Sequence, residues 1–256
     1  MKLVDVHCHL NSSYFRDTLD TIISEATSVG IVAMITNAIS PGDWDETTAL
    51  ASRYHQVFCA LGIHPWYIDI EEISRINELP SFITTDTVAI GECGLDKKIQ
   101  KPDFKLQQSV FEDQVVMSRE LNLPLIIHCR GAFSELIQSF KRTGVPGAGG
   151  VIHSYSGNVE IAKQLIPYGM SFSMGGAVTH RNSKKKEKVL HYIYPDYLVL
   201  ETDSPDIPPV EKRDTINVPA NIRYNLTAVS EILGIPGPEI AENTTMNAVK
   251  IFGLSL

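Results

Sequence analysis

Apolar and polar positions along the chain fall into two alternating rhythms. Short runs rich in β-branched residues recur at Leu3–Val6, Ile31–Thr36, Val57–Leu61, Val88–Gly91, Leu125–His128, Gly150–His153, Met170–Ser173 and Tyr197–Glu201, which makes eight. Each is too short for a buried helix and rich in residues that fit a pleated surface, so each is predicted to be a strand. The segments between them are long enough for a helix. Several, such as Asp17–Val29 and Phe104–Leu121, repeat their apolar residues at about 3.6-residue spacing. Strands alternating with helices build βαβ units around a parallel sheet. Eight units in roughly 200 residues fit a closed barrel better than an open sheet, so the fold class is α/β, a (β/α)8 TIM barrel. The rhythm breaks after Pro208. Glu211 to Asn217 is irregular, and two helix-like stretches follow, Pro219–Leu233 and Pro238–Phe252, split by Gly234-Ile-Pro-Gly-Pro. Pro219 and Pro238 suit a first helical turn and Gly234 suits a stop. The expectation is one domain over residues 1–256 with an extra C-terminal helix.

Composition supports a large core: of 256 residues, 43% are hydrophobic and 20% charged, which is unlike a disordered chain. No apolar run approaches the roughly 18 residues of a membrane span. Asp5 and His7 interrupt the N-terminus too early for a signal peptide, so the sequence reads as cytoplasmic, with no membrane partner. No apolar stripe is left over to demand an obligate protein partner. Cys8, Cys59, Cys93 and Cys129 lie in or beside apolar runs without CxxC spacing, and are expected as reduced, buried thiols. A net charge of −8 argues against non-specific coating of nucleic acid, which needs many Lys and Arg on phosphates. It leaves room for an enzyme that holds a few phosphates near bound cations.

The strand ends carry the chemistry. His7 and His9 flank Cys8, and positions i and i+2 of a strand face the same way, so both imidazoles point into the barrel mouth. Glu92 ends the fourth run, His128 the fifth and His153 the sixth, while Asp203 follows the eighth. Catalytic residues of such barrels stand at the C-terminal ends of strands. Each residue alone reads equally well as a hydrogen-bonded polar group at a strand exit. Six of metal-ligand type on one rim read as one site. Four His and two carboxylates exceed the three or four protein ligands of a single metal. A pair of divalent ions sharing a carboxylate uses them better, and two ions about 3.5–4 Å apart can hold the attacking and leaving oxygens of an in-line displacement. Mixed nitrogen and oxygen ligands suit Mg, Mn or Zn.

His7-Cys-His9, Gly62-Ile-His-Pro65, Gly91-Glu-Cys-Gly-Leu-Asp96, Ile127-His-Cys-Arg130, His153-Ser-Tyr-Ser-Gly157 and Glu201-Thr-Asp-Ser-Pro205 together resemble the ordered motif set of the TatD family, metal-dependent deoxyribonucleases of the amidohydrolase barrel superfamily. The likeness continues through Arg213–Pro219 and Asn243–Asn247 to Gly253. It implies that His7, His9, Glu92 and Asp203 hold one ion and that Glu92 bridges to a second held by His128 and His153. It further implies that Asp203 orients or deprotonates the attacking water and that His64 contacts the scissile phosphate or assists the leaving oxygen. His64 otherwise reads as a polar turn residue before Pro65. The family often shows a second His where this chain has Trp66, and an aromatic residue where it has Asp206. Trp66 would either stack on a nucleobase or pack at the rim.

Two basic runs follow strand ends: Lys97, Lys98, Lys101 and Lys105, and Arg181, Lys184, Lys185, Lys186 and Lys188 beside His180. They read either as solvated helix starts or as local positive potential that steers phosphates, with Lys184 and Lys185 as substrate contacts. Arg130 can bind a phosphate bidentately, Arg213 can do the same or pin the C-terminal segment, and Glu201 can support a ligand. Two functions remain in view. One is hydrolysis of DNA phosphodiesters, single-stranded or at an exposed end, as a 3′-exonuclease or by cutting exposed strands. The other is a small-molecule amidohydrolase or phosphoesterase on the same barrel. An intact ligand set argues against a barrel kept only for binding.

Overall fold

Eight strands lie in one sheet in sequence order: β1 (Leu3–Cys8), β2 (Ile31–Asn37), β3 (Val57–Leu61), β4 (Thr87–Asp96), β5 (Leu125–Arg130), β6 (Gly150–Ile152), β7 (Met170–Met174) and β8 (Leu198–Leu200). Each neighbouring pair from β1 to β8 is parallel. These are the coordinates of a computed structural model, and they describe residues 1–69, 73–180 and 183–256. The connecting helices are α1 (Leu19–Ser28), α2 (Trp44–Arg53), α3 (Phe104–Leu121), α4 (Phe133–Thr143), α5 (Val159–Leu165) and α6 (Lys184–Ile193). Between β3 and β4 the described residues include a 3-10 segment, Ile76–Phe82. After β8 come α7 (Ile222–Leu233) and α8 (Gly237–Phe252). The architecture is the predicted (β/α)8 barrel with an added C-terminal helix.

Local chemistry fixes the boundaries. Asp103 caps α3 by accepting from the Lys105 and Leu106 N–H groups, and Asn122 ends it in the left-handed conformation that Asn tolerates. Gly234 and Gly253 end α7 and α8 the same way. β4 runs five residues past the predicted Gly91 because Glu92–Asp96, polar and Gly-containing, continue the ladder to β5. Gly94 makes that possible: a Cβ there would collide with the carbonyl of His128.

The apolar residues form two layers. Leu3, Met34, Cys59, Leu61, Leu125 and Ile127 pack with helix residues. Val4, Val6, Ala33, Ile35, Ala60, Ala89, Ile126, Val151 and Val199 fill the barrel interior, joined by Ala248, Phe252 and Leu254 from the C-terminal segment. Val6 points inward, yet so does His7, because a bulge between Asp5 and Cys8 shifts the register against β2. A second bulge between Ile90 and Cys93 does the same for Glu92. Bulges of this kind re-aim side chains beside active sites. All four cysteines are free and buried, as expected. No helix among the described residues is long and apolar enough to cross a membrane.

The sheet closes where β8 meets β1, and there the ladder is replaced. The Asp203 N–H donates to His7 O at 2.9 Å and the His9 N–H to Ser204 O at 2.7 Å. Below them Asp5, fully buried, accepts from the Thr202 N–H at 2.9 Å, the Thr202 hydroxyl at 2.5 Å and the His7 N–H at 3.3 Å. Burial pushes the Asp5 carboxyl up to about 7. Asp5→Ala strands those donors in the interior and should destabilise the fold by about 2–4 kcal/mol in urea denaturation. Asp5→Asn, which keeps an acceptor and can donate to the Thr202 oxygen, should lose less than about 1 kcal/mol.

Candidate active site

Six side chains from five strand ends, those of His7, His9, Glu92, His128, His153 and Asp203, converge at the C-terminal mouth of the barrel. His64, just past β3, joins them. Glu92 stands at the centre, 3% exposed. Its Oε2 lies 3.4 Å from His7 Nε2 and 3.5 Å from His9 Nε2. Its Oε1 lies 2.9 Å from His153 Nε2, 3.4 Å from His128 Nδ1 and 3.3 Å from His64 Nε2. Asp203 Oδ1 faces the first group, 3.3 Å from His7 Nε2 and 3.6 Å from His9 Nε2. The His7 and His153 rings stack at 4.1 Å. The two oxygens of Glu92 thus address two different sets of nitrogen donors.

Three of the imidazoles, those of His9, His128 and His64, are turned by a partner behind them. His9 Nδ1 lies 3.0 Å from Asn37 O, which leaves Nε2 facing inward. His128 is reversed: Nε2 meets Asp96 Oδ2 at 3.2 Å and Nδ1 faces Glu92. His64 differs from both. Its Nδ1 accepts the Trp66 backbone N–H at 3.1 Å, so the neutral ring carries its proton on Nε2, pointing at Glu92. In that tautomer Nε2 is a hydrogen-bond donor; the same nitrogen also lies with donor atoms of Glu92 and His128 within 4.8 Å of one another. His153 follows β6, and the N–H of the next residue, Ser154, donates to Glu201 Oε1 at 2.8 Å. The hydroxyl of Ser173 donates to Glu201 Oε2. Burial raises the Glu201 carboxyl to about 8.

The electrostatics fit a cation-binding centre. Burial opposes protonation of His7, but Glu92 and Asp203 outweigh it and hold the ring well above its ordinary value. Burial and His7 push His153 down to about 4, and burial lowers His64. Burial opposes ionisation of Glu92, yet His64, His153 and His7 keep its carboxylate well below the usual range. Asp203 is likewise held low by His7 and His9 against its burial. Both nitrogens of His7 and Nδ1 of His153 are buried without a hydrogen-bond partner. Buried polar atoms left unpaired are rare unless an ion or water serves them. Donor atoms within each of three groups, His7, His9 and Glu92; His7, His153 and Asp203; and His64, Glu92 and His128, lie within 4.8 Å of one another, close enough to share an ion.

Asp96, which sequence reasoning gave no role, is the main addition. Fully buried, it accepts from Trp66 Nε1 at 2.7 Å, the Lys98 N–H at 2.7 Å and His128 Nε2. These contacts outweigh burial and keep it ionised. The signal was present: Glu92, Gly94 and Asp96 share one face of an extended strand. Trp66 is anchored at the mouth by its indole N–H and is still 48% exposed.

Around the centre lies a cleft of about 760 Å³, lined among others by Tyr14, His64, Trp66, Arg130, Asp203 and Asp206. The basic runs divide. Arg130 lines the cleft, 3.8 Å from Asp96. Lys185 bonds its ammonium to Ser156 O at 2.7 Å, beside the cleft, whereas Lys184 is exposed and does not line it. Lys97 pairs with Glu135 at 2.5 Å, and Lys186 turns back onto Ala177 O. Lys98, Lys101, Lys105 and Lys188 are exposed away from the cleft lining, as is His180, and Arg181 lies outside the described residues. Arg213 is exposed beside Asp214, away from the cleft.

Asp96 and Glu92 outweigh burial to raise His128 to about 9 in the metal-free protein. Against the ordinary 6.5, that contribution to stability is complete below about 6.5 and lost as pH rises through about 9. Asp96→Asn removes one of the two charges, so NMR titration in chelator should find the His128 pKa lower by about one pH unit or more.

A family model described as TatD related DNase matches residues 4–253. The chain is 31% identical over 256 residues to YabD of Bacillus subtilis (strain 168), an uncharacterized metal-dependent hydrolase, covering 99% of this chain and 100% of that protein. It is 28% identical to the putative deoxyribonuclease tatdn3 of Danio rerio, covering 97% of this chain and 96% of that one. The crystal structure of YjjV, a TatD homolog from Escherichia coli K12, superposes with a TM-score of 0.92 at 26% identity, covering 99% of this chain and 98% of that one. An organophosphorus hydrolase from Deinococcus radiodurans shares the fold alone, at a TM-score of 0.62 and 15% identity. With the whole motif set gathered at one barrel mouth and the match running almost end to end, the chain belongs to the TatD family of metal-dependent hydrolases.

Proposed function

We propose that this protein hydrolyses phosphodiester bonds of DNA with the help of two divalent cations, Mg, Mn or Zn. The observation that carries the reading is the division of labour at Glu92, whose Oε2 faces His7 and His9 while Oε1 faces His128 and His153. His7, His9, Glu92 and Asp203 would hold one ion, and His128, His153 and Glu92 the other. Ions so held supply Lewis acidity that polarises a phosphodiester and makes water nucleophilic near neutral pH.

The chain's own residues do the rest. Asp203, ionised and at the lip of the centre, accepts the proton of the attacking water. His64, kept neutral by burial and protonated on Nε2, donates to a phosphate oxygen or to the leaving oxygen. Arg130 offers its fork to an adjacent phosphate. Trp66, with Tyr14 and Tyr67 exposed along the same cleft, offers flat apolar faces to bases. Such stacking needs bases free of a duplex, which favours single strands or frayed ends. Lys185 contributes charge beside the cleft, and Lys184 only at longer range.

The cleft would also hold a small ester or amide whole, since ligand sites run about 300–1,000 Å³. Turnover of single-stranded DNA with Mg or Mn, measured against a panel of amides, lactones and simple phosphoesters, separates the two. Failure to cut DNA by metal-loaded protein would overturn the nuclease reading. Asp203→Asn should lower kcat by about 10²–10⁴-fold. Its fold should persist by circular dichroism, because Asn tolerates the positive φ of 57° at that position. Trp66→Ala should raise KM for oligonucleotides by about 5–100-fold, the equivalent of one lost base stack, while Trp66→Phe should keep most of the binding.

A further inference from the structure

Asp96 is the meeting point of groups that act on the centre from behind. Its backbone is pinned first. The Asp96 N–H donates to Gln107 Oε1 at 2.9 Å, and the amide of Gln107 donates in turn to Pro102 O at 3.1 Å. One side-chain oxygen, Oδ1, accepts the Lys98 N–H at 2.7 Å. The other, Oδ2, is shared between Trp66 Nε1 at 2.7 Å and His128 Nε2 at 3.2 Å. A buried carboxylate fixed at both oxygens holds its plane, and an imidazole bonded to it keeps its orientation. His128 thus presents Nδ1 to the centre, 3.4 Å from Glu92 Oε1 and 3.3 Å from His153 Nε2. The indole also walls this side, edge-on to the His64 ring at 5.2 Å and to the His128 ring at 6.0 Å.

Without the indole N–H, Oδ2 would answer to His128 and to the Arg130 guanidinium, which stands 3.8 Å away and whose charge would draw the carboxylate off the imidazole. We propose that Trp66 is a positioning residue for the cation on the His128 and His153 side: through Asp96, its indole keeps His128 Nδ1 aimed at Glu92. The same ring is half-exposed and lines the cleft, so one side chain both meets the substrate and sets the cation's seat. A ligand lying on Trp66 steadies the indole on Asp96, and a cation on His128 steadies it from the other end. Each therefore tightens the other, and by the same factor. The hold of the indole on the cation follows from metal dependence alone, whereas the ligand's being a nucleobase rests on the DNA reading above.

The test starts from metal-free protein and reads Zn binding by calorimetry with the ring at position 66 varied. Trp66→Phe keeps a flat apolar face and loses the N–H. It should weaken one Zn binding event by about tenfold and leave the other within about twofold. Trp66→His, whose imidazole can offer an N–H to Asp96, should recover most of that loss. By NMR of nitrogen-labelled wild type, Zn should move the indole N–H signal of Trp66 and leave that of Trp44, which donates to Gly62 O in the core, in place. A short single strand with uncharged methylphosphonate links should bind Zn-loaded wild type about threefold tighter than metal-free protein, and Trp66→Phe should lose that gain. An unchanged Zn affinity in Trp66→Phe, or an equal loss in Trp66→His, would overturn the proposal. A strand held equally with and without Zn would overturn its coupling to substrate. Failure to cut DNA, alongside the tenfold loss in Trp66→Phe, would remove the nuclease reading and uphold the role of the indole.

Discussion

One buried carboxylate governs the mouth of this barrel. Glu92 is within 3.5 Å of a nitrogen from each of five histidines, out of eight in the chain. Such crowding in a low-dielectric interior is tolerable only if the rings do not all carry charge. Burial and mutual repulsion push His153 and His64 down, while acidic neighbours push His7 and His128 up. The site is therefore sensitive to whatever positive charge enters it. A second tier of carboxyl groups, Asp5, Asp96 and Glu201, does not meet the centre directly but turns and seats the residues that do.

Much of this was legible in the sequence, for a definite reason. Strand exits of a parallel barrel all open on one rim, so metal-type residues at the ends of separate apolar runs must gather there, whatever their distance in sequence. Phe104–Leu121 was legible to the residue because its period and its Asp103 cap agree. The 3-10 turns at Pro65–Tyr67 and Ile76–Phe82 lack the 3.6-residue period and could not be read in the same way.

What stayed hidden depends on contacts between strands. The simple alternation that places His7 and His9 inward also sends Val6 outward, but Val6 lies in the interior, and a bulge reconciles the two. The role of Asp96 appears only once Trp66 and His128, 62 residues apart, are brought to either side of it. The two lysine runs looked alike on the page. Their fates diverged because Glu135 and the Ala177 carbonyl, distant or near in sequence, happened to stand within reach of Lys97 and Lys186.

The seam between β8 and β1 has a bearing on how the molecule is made. Asp5 and Thr202 are 197 positions apart, and His7 and His9 occupy one lip of that joint while Asp203 occupies the other. On a ribosome the first lip emerges well before the second and waits, with its donors answered only by water, until Thr202 and Asp203 have followed it. No shorter nascent fragment can display the assembled centre, so the reactive arrangement comes into being late, at the moment the circle of strands is joined.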